Sequence, residues 1–213
     1  MQLCHHHKDA SLEWAVCRFE ESFSELSALC EDESLVEYAL ENFGSEKRRC
    51  EWLAARILIK KLAGSCASVC YSSDGKPHLC DGSRHISISH TDGYVAVAFH
   101  AEYSVGVDVE LLGAKVLKLY KRFLNSVEVD SLDKNSETVA MLLHWSAKES
   151  FYKIIGNRGG SFAENFTVSQ FVVGASGDFS ISYTDNGTLI KKLPVNYIVG
   201  SDYVFTLCVD NER

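Results

Sequence analysis

The stretch YSVGVDVELL, residues 103–112, reads as a strand that carries two acids, Asp108 and Glu110, among valines. In a strand, residues i and i+2 share a face and lie about 6.6 Å apart along the chain. Both carboxylates therefore project together, while Val107 and Val109 point the other way, toward the core. Like charges held so close raise each other's pKa unless something neutralises them, and a divalent cation does that while accepting oxygen ligands. A solvated edge strand, valine in and acid out, is the plainer reading of these residues taken alone.

The same stretch marks where the order of elements restarts. Before it the pattern predicts a strand near 11–19 and helical material to about residue 64, with SEKRRCEWLAARILIKKLAG (45–64) the clearest helix. Ser45 suits its N-cap and Gly64 its end, although Lys47 and Arg48 in the first turn oppose the helix dipole. Strand candidates follow at 67–72, 85–89 and 93–100, the last two joined through the turn HTDG as a hairpin. After Tyr103 come a strand at 104–110, helices over about 115–133 and 137–155, and strand-like runs at 166–173, 179–183, 188–193 and 197–209. The expected fold class is α+β: two pseudo-symmetric halves, 1–102 and 103–213, each a small antiparallel sheet packed with helices, with the site in a cleft between them. That expectation rests on element order, since no residue-level repeat is present.

Composition narrows the function. A chain of 213 residues that is 46% apolar can bury a core, and a net charge of −8 with pI near 5.5 excludes general nucleic-acid binding, which needs a basic surface. No run approaches the roughly 18 apolar residues of a membrane span, and MQLCHHHKDASLEW at the N-terminus has no signal-peptide core. The expectation is a cytoplasmic monomer bound to neither membrane nor nucleic acid. The eight cysteines contain no C-x-x-C pair and are expected to be reduced thiols. His5, His6 and His7 read as part of a flexible terminus.

A second cluster, HWSAKESFYK (144–153), lies on the helix after the acidic strand, where Trp145, Glu149, Tyr152 and Lys153 fall near one stripe. Glu149 and Lys153 form an ordinary i, i+4 surface pair on one reading. On the other, two strand acids, a helical acid and a lysine one turn on suit a Mg²⁺ site handling phosphate. Upstream, Arg49, Arg56 and Lys60 make a basic stripe on the 45–64 helix, DGKPHL (74–79) is a turn with Lys76, and Ser89-His90 ends a strand. A Ser89–His90–Asp92 triad is excluded because adjacent strand residues face opposite sides. GNRGG (156–160) follows a helix rather than opening one, so it is no phosphate loop.

In this order, KRRCEWLAAR (47–56), GKPHL (75–79), HISISHTDGYVAVAF (85–99), GVDVE (106–110), KRFLNSVEVDSL (121–132) and WSAKESFYK (145–153) resemble the 4'-phosphopantetheinyl transferases, in particular their longer single-chain class with two pseudo-symmetric halves. The resemblance implies transfer of the 4'-phosphopantetheine arm of coenzyme A to a serine of an apo acyl or peptidyl carrier protein, with release of adenosine 3',5'-bisphosphate. It implies that Asp108, Glu110 and Glu149 hold Mg²⁺, or Mn²⁺, and that Glu149 takes the serine proton. Lys153 would contact the pyrophosphate, and Arg56, Lys76, Ser89 and His90 the nucleotide and its phosphates. Lys47, Arg48 and Arg49 match more loosely.

Two other readings compete. A metal-dependent phosphodiesterase or nuclease also uses two acids with Glu-x-x-x-Lys, and a silent scaffold would bind CoA or a carrier without turnover. Lys115, Lys118, Lys121 and Arg122 form a basic stripe at helical spacing, suited to steering an acidic carrier or simply to solvation.

Overall fold

In a computed structural model, which describes residues 1–113, 116–132, 134–156 and 160–211, the chain divides into two units, Met1–Glu102 and Tyr103–Arg213. The first unit opens with β1 (Gln2–Lys8) and β2 (Leu12–Arg18), then α1 (Phe23–Leu29), α2 (Glu33–Asn42) and α3 (Glu46–Ala63). It continues with β3 (Val69–Tyr71), β4 (Pro77–Leu79), β5 (His85–Thr91) and β6 (Tyr94–His100). The large strands form an antiparallel sheet in the order β1-β2-β6-β5, and β3 and β4 form a two-stranded ribbon. Ser45 caps α3 by accepting from the Arg48 amide, and Gly64 ends it at φ +102°, where glycine has no Cβ penalty. Leu53, Leu58 and Ile59 of α3 pack with Ala15, Cys17, Val95, Val97 and Phe99 of the sheet.

The second unit runs β7 (Val105–Leu111), α4 (Val116–Leu119), a 3₁₀ turn (Tyr120–Arg122), α5 (Ser126–Asp130), α6 (Glu137–Ile155) and α7 (Phe162–Asn165). Four more strands complete it: β8 (Phe166–Val168), β9 (Ser176–Asp185), β10 (Thr188–Val199) and β11 (Tyr203–Val209). Its antiparallel sheet has the order β7-β11-β10-β9-β8. In each unit the strand leading toward the long helix (β2, β7) pairs with the last strand (β6, β11), which pairs with the one before it (β5, β10). The α+β class with small antiparallel sheets packed by helices is what the sequence predicts. No helix among the described residues is long and apolar enough to cross a membrane.

Several expectations are corrected. His5, His6 and His7 lie in β1, laddered to β2, with the His6 ring 3.4 Å from Glu13 and the His7 ring 3.1 Å from Asp9. The region expected to be helical over 115–133 is broken into α4, the 3₁₀ turn and α5, and Lys115 lies outside the described residues. The last two strands meet at 200–202 instead of near residue 195, because Pro194 sits inside β10 just before its ladder to β11 begins at Val195. Proline lacks a donor, and that position needs none on the β11 side. Finally, Cys70 and Cys80 are joined by a disulfide; the other six cysteines are free.

Candidate functional site

Asp108 and Glu110 share a face of β7, as their spacing requires, but it is the face packed by α6. Across the ladder Asp108 stands opposite Thr206, Glu110 opposite Val204 and Gly106 opposite Cys208, and Val204 and Cys208 belong to the core around α6. Val105, Val107 and Val109 are buried on the other face. The acids thus point inward toward a helix, which corrects the valine-in, acid-out reading.

The close approach of α6 is built from small residues. A Cβ on Gly106 would overlap the Ser150 carbonyl oxygen and stand 2.9 Å from its carbonyl carbon, so only glycine lets the helix come this near. Ser146 and Ser150, one turn apart, bond to the Thr206 hydroxyl at 2.9 and 3.1 Å. Those contacts set the height of the neighbouring stripe of Trp145, Glu149 and Lys153 over β7. Trp145 Nε1 donates to Glu110 Oε1 at 2.8 Å, its ring held between Phe123 and Phe162. Lys153 Nζ donates to Asp108 Oδ1 at 3.0 Å and to the Val107 carbonyl at 2.7 Å. A surface Glu149–Lys153 pair is therefore not what engages the lysine.

The charges are under tension. Burial first, then Asp108 and Glu110, push the Glu149 carboxyl up to about 7, with Lys153 opposing. Burial and Asp108 likewise raise Glu110, against the Trp145 hydrogen bond and Lys153. Among the described residues no three His, Cys, Asp or Glu side chains stand in metal-holding geometry; Asp108 bonds Lys153 and Glu110 bonds Trp145. The donor set itself is hard oxygen, as Mg²⁺ or Mn²⁺ requires.

One contributor was not singled out from the sequence. Lys148, next to Glu149, is wholly buried and its ammonium bonds Glu128 Oε2 at 2.7 Å and the carbonyls of Phe123, Phe162 and Phe166 at 2.6, 3.1 and 3.0 Å. Glu128 in turn accepts from the amides of Asn125 and Val168. With all partners satisfied, this pair ties the segments before α5 and around α7 to α6. Its signal was present: Lys148 lies on the buried stripe of Met141, His144 and Phe151, where a lysine must find a buried partner.

In the first unit the sequence candidates fall into separate places. His90, at the end of β5, receives a hydrogen bond from Arg48 and has Nδ1 3.2 Å from Glu51, both on α3. Ser89 is buried on the opposite sheet face. Arg56 is only 6% exposed, stacked 4.3 Å over Trp52 and donating to the Tyr71 hydroxyl at 2.6 Å. Trp52, Arg56, Lys60, Val69 and Tyr71 line a cavity of about 650 Å³. The basic stripe is otherwise occupied: Arg49 donates to the Phe43 carbonyl and Lys60 to Asp32. Lys76 sits at the β3–β4 turn, beside Gly75 at φ +83°.

Residues 104–208 match the family model described as the 4'-phosphopantetheinyl transferase superfamily. The chain is 33% identical over 124 residues to the 4'-phosphopantetheinyl transferase gsp of Aneurinibacillus migulanus, covering 57% of this chain and 48% of that protein. It is 36% identical over 83 residues to the 4'-phosphopantetheinyl transferase Sfp of Bacillus subtilis (strain 168), 37% of each. With the 4'-phosphopantetheinyl transferase AcpT of Salmonella typhimurium it shares 26% over 122 residues, 54% of this chain and 61% of that one. The chain thus spans less than two thirds of the length of each of these relatives.

Proposed function

We propose, from the match of residues 104–208 to the 4'-phosphopantetheinyl transferase superfamily model, that the protein is a member of that superfamily and transfers the 4'-phosphopantetheine group of coenzyme A to a serine of an apo carrier protein, leaving adenosine 3',5'-bisphosphate. The observation that carries this reading is the α6–β7 arrangement: three carboxylates and one ammonium gathered by a glycine-permitted contact. Asp108, Glu110 and Glu149 would hold a divalent cation. Bound there, the cation would neutralise the developing charge on the CoA pyrophosphate.

The chain's own groups take the remaining tasks. Glu149 would take the serine proton, directly or through water. Lys153 would leave Asp108 for the pyrophosphate oxygens once a cation satisfies that carboxylate. Trp145 fixes the Glu110 rotamer. In the first unit, the Arg56 cavity and the Arg48–Glu51–His90 cluster are the places suited to the nucleotide and its phosphates; Lys76 and Ser89 stand as further contacts of the same proposal. The phosphodiesterase or nuclease reading is left without support by the family match.

The test is direct. Incubation with CoA, Mg²⁺ and an apo-carrier should raise the carrier's intact mass by one phosphopantetheine, and Asp108→Ala or Glu149→Gln should abolish the gain while circular dichroism stays native. No transfer to any of several acyl and peptidyl carriers sinks the activity, and transfer retained in both variants removes the carboxylate assignment.

A further inference from the structure

We propose that Cys70 and Cys80 form a redox-active dithiol–disulfide site that controls the wall of the Arg56 cavity, rigidifying it when oxidised by a small-molecule disulfide of the glutathione class and loosening it when reduced.

The bridge closes the neck of the β3–β4 ribbon, with the two Cα atoms 5.3 Å apart and ten residues apart in sequence. Each strand is three residues long and the ribbon has no third strand. Two-stranded ribbons of this length are marginal in water, so a covalent tie at the neck supplies much of the rigidity. Cys70 lies between Val69 and Tyr71, which both line the cavity, and Tyr71 accepts the Arg56 hydrogen bond. Fixing Cys70 therefore fixes the wall and the phenol that positions the guanidinium. Reduction leaves the ribbon attached, because Leu79 is 2% exposed in the core and the turn is closed by Ser72 N–H on the Lys76 carbonyl and Gly75 N–H on the Ser72 carbonyl.

Access separates this pair from the buried thiols, and pairing separates it from the exposed one: Cys80 is exposed and Cys70 half-buried, Cys17 and Cys208 are buried with thiols pushed up to about 11 and about 12, and Cys66 is exposed but not joined to another cysteine. In the oxidising direction, one cysteine thiolate attacks the small disulfide, forms a mixed disulfide and expels one thiolate. The second cysteine, its proton released to solvent, then attacks the protein-bound sulfur and expels the other. One S–S bond forms, one breaks, and the small disulfide leaves as two thiols.

The consequence for CoA rests on the proposed function, which puts nucleotide phosphate near Arg56; the redox chemistry does not. The full chain would be equilibrated in graded ratios of oxidised and reduced glutathione, quenched with iodoacetamide and mapped by peptide mass. Cys70 and Cys80 should pass from cross-linked to doubly alkylated in one two-electron step. Alkylation of both in every buffer, or pairing only with other cysteines, overturns the site. By calorimetry the oxidised form should bind CoA about tenfold more tightly, the cost of ordering one or two side chains, and Cys70→Ser/Cys80→Ser should match the reduced form in every buffer. Equal affinities overturn the control. If neither form binds CoA the nucleotide reading fails instead, and hydrogen exchange at 69–71 and 77–79 decides: faster exchange on reduction sustains control of the wall, unchanged exchange overturns it.

Discussion

Glu149 stands on α6 with Trp145 and Lys153 one turn away on either side, and its carboxyl is held up to about 7 by burial and by Asp108. A folded pKa above the unfolded value of 4.5 means that the folded chain holds the proton more tightly. The stability linked to that proton is complete below about pH 4.5 and lost as pH rises through about 7. Without a cation, ionised Glu149 therefore works against the fold at pH 8. Glu149→Gln keeps the shape and removes the charge, so in a chelator it should stabilise the protein at pH 8 by about 1 to 2 kcal/mol, allowing for solvent screening, and by almost nothing at pH 5. Urea denaturation at the two pH values measures this. Equal midpoints for wild type and variant at pH 8 would show that the acids do not strain one another. Under the proposed reading, millimolar Mg²⁺ raises the wild-type midpoint at pH 8 and leaves the variant's nearly where it was.

At the scale of elements, the site depends on how near α6 passes to β7, and Gly106 sets that distance. Gly106→Ala forces either strand or helix to move, an overpacking cost of about 1 to 3 kcal/mol, and the movement separates Lys153 from Asp108 and Trp145 from Glu110. Under the proposed function, transfer activity should fall well beyond what the loss of folded protein explains. Gly44→Ala, with nothing within 4 Å of the added Cβ, is the matched control and should leave both melting temperature and activity unchanged. If Gly106→Ala behaves like that control, the close approach is not what builds the site. The same contact shows what sequence reading reaches. Periodicity alone places α3, β5, β6, β7 and α6 within a residue or two, because each is long and strongly patterned. β1 was missed because its exposed histidines lack an apolar face, and β4 because three residues carry no period. That Asp108 and Glu110 share a face is readable from two-residue spacing. That this face meets a helix is not, since it follows from Gly106 lying under Ser150, a pairing 44 positions apart that no local pattern encodes. The Cys70–Cys80 bridge escaped for the related reason that ribbon pairing, not spacing, brings the two together.

The whole chain carries a net charge of −8, so its mean field repels an acidic carrier. Against that background the stretch from α4 to α5 differs: Lys118, Lys121 and Arg122 are exposed, and Leu117, Leu119 and Val127 are exposed beside them. The cations do not form one helical stripe, because α4 ends at Leu119 and the chain tightens into the 3₁₀ turn. What persists is a local cationic and apolar patch, the combination that steers an acidic partner and then holds it. Its segment is anchored from beneath by the Lys148–Glu128 pair, so charge reversal at the surface need not disturb the buried anchor. Under the proposed function, Lys118→Glu with Lys121→Glu should therefore slow carrier modification about tenfold at low salt while leaving CoA affinity and melting temperature unaltered. The gap between variant and wild type should close as salt rises, because the screening length falls from about 10 Å at 0.1 M to about 3 Å at 1 M. Single-turnover rates across that salt range measure both effects. A variant as fast as wild type at low salt removes steering by this patch, and a defect that persists undiminished at 1 M would mean that the lysines act by direct contact and not through the long-range field.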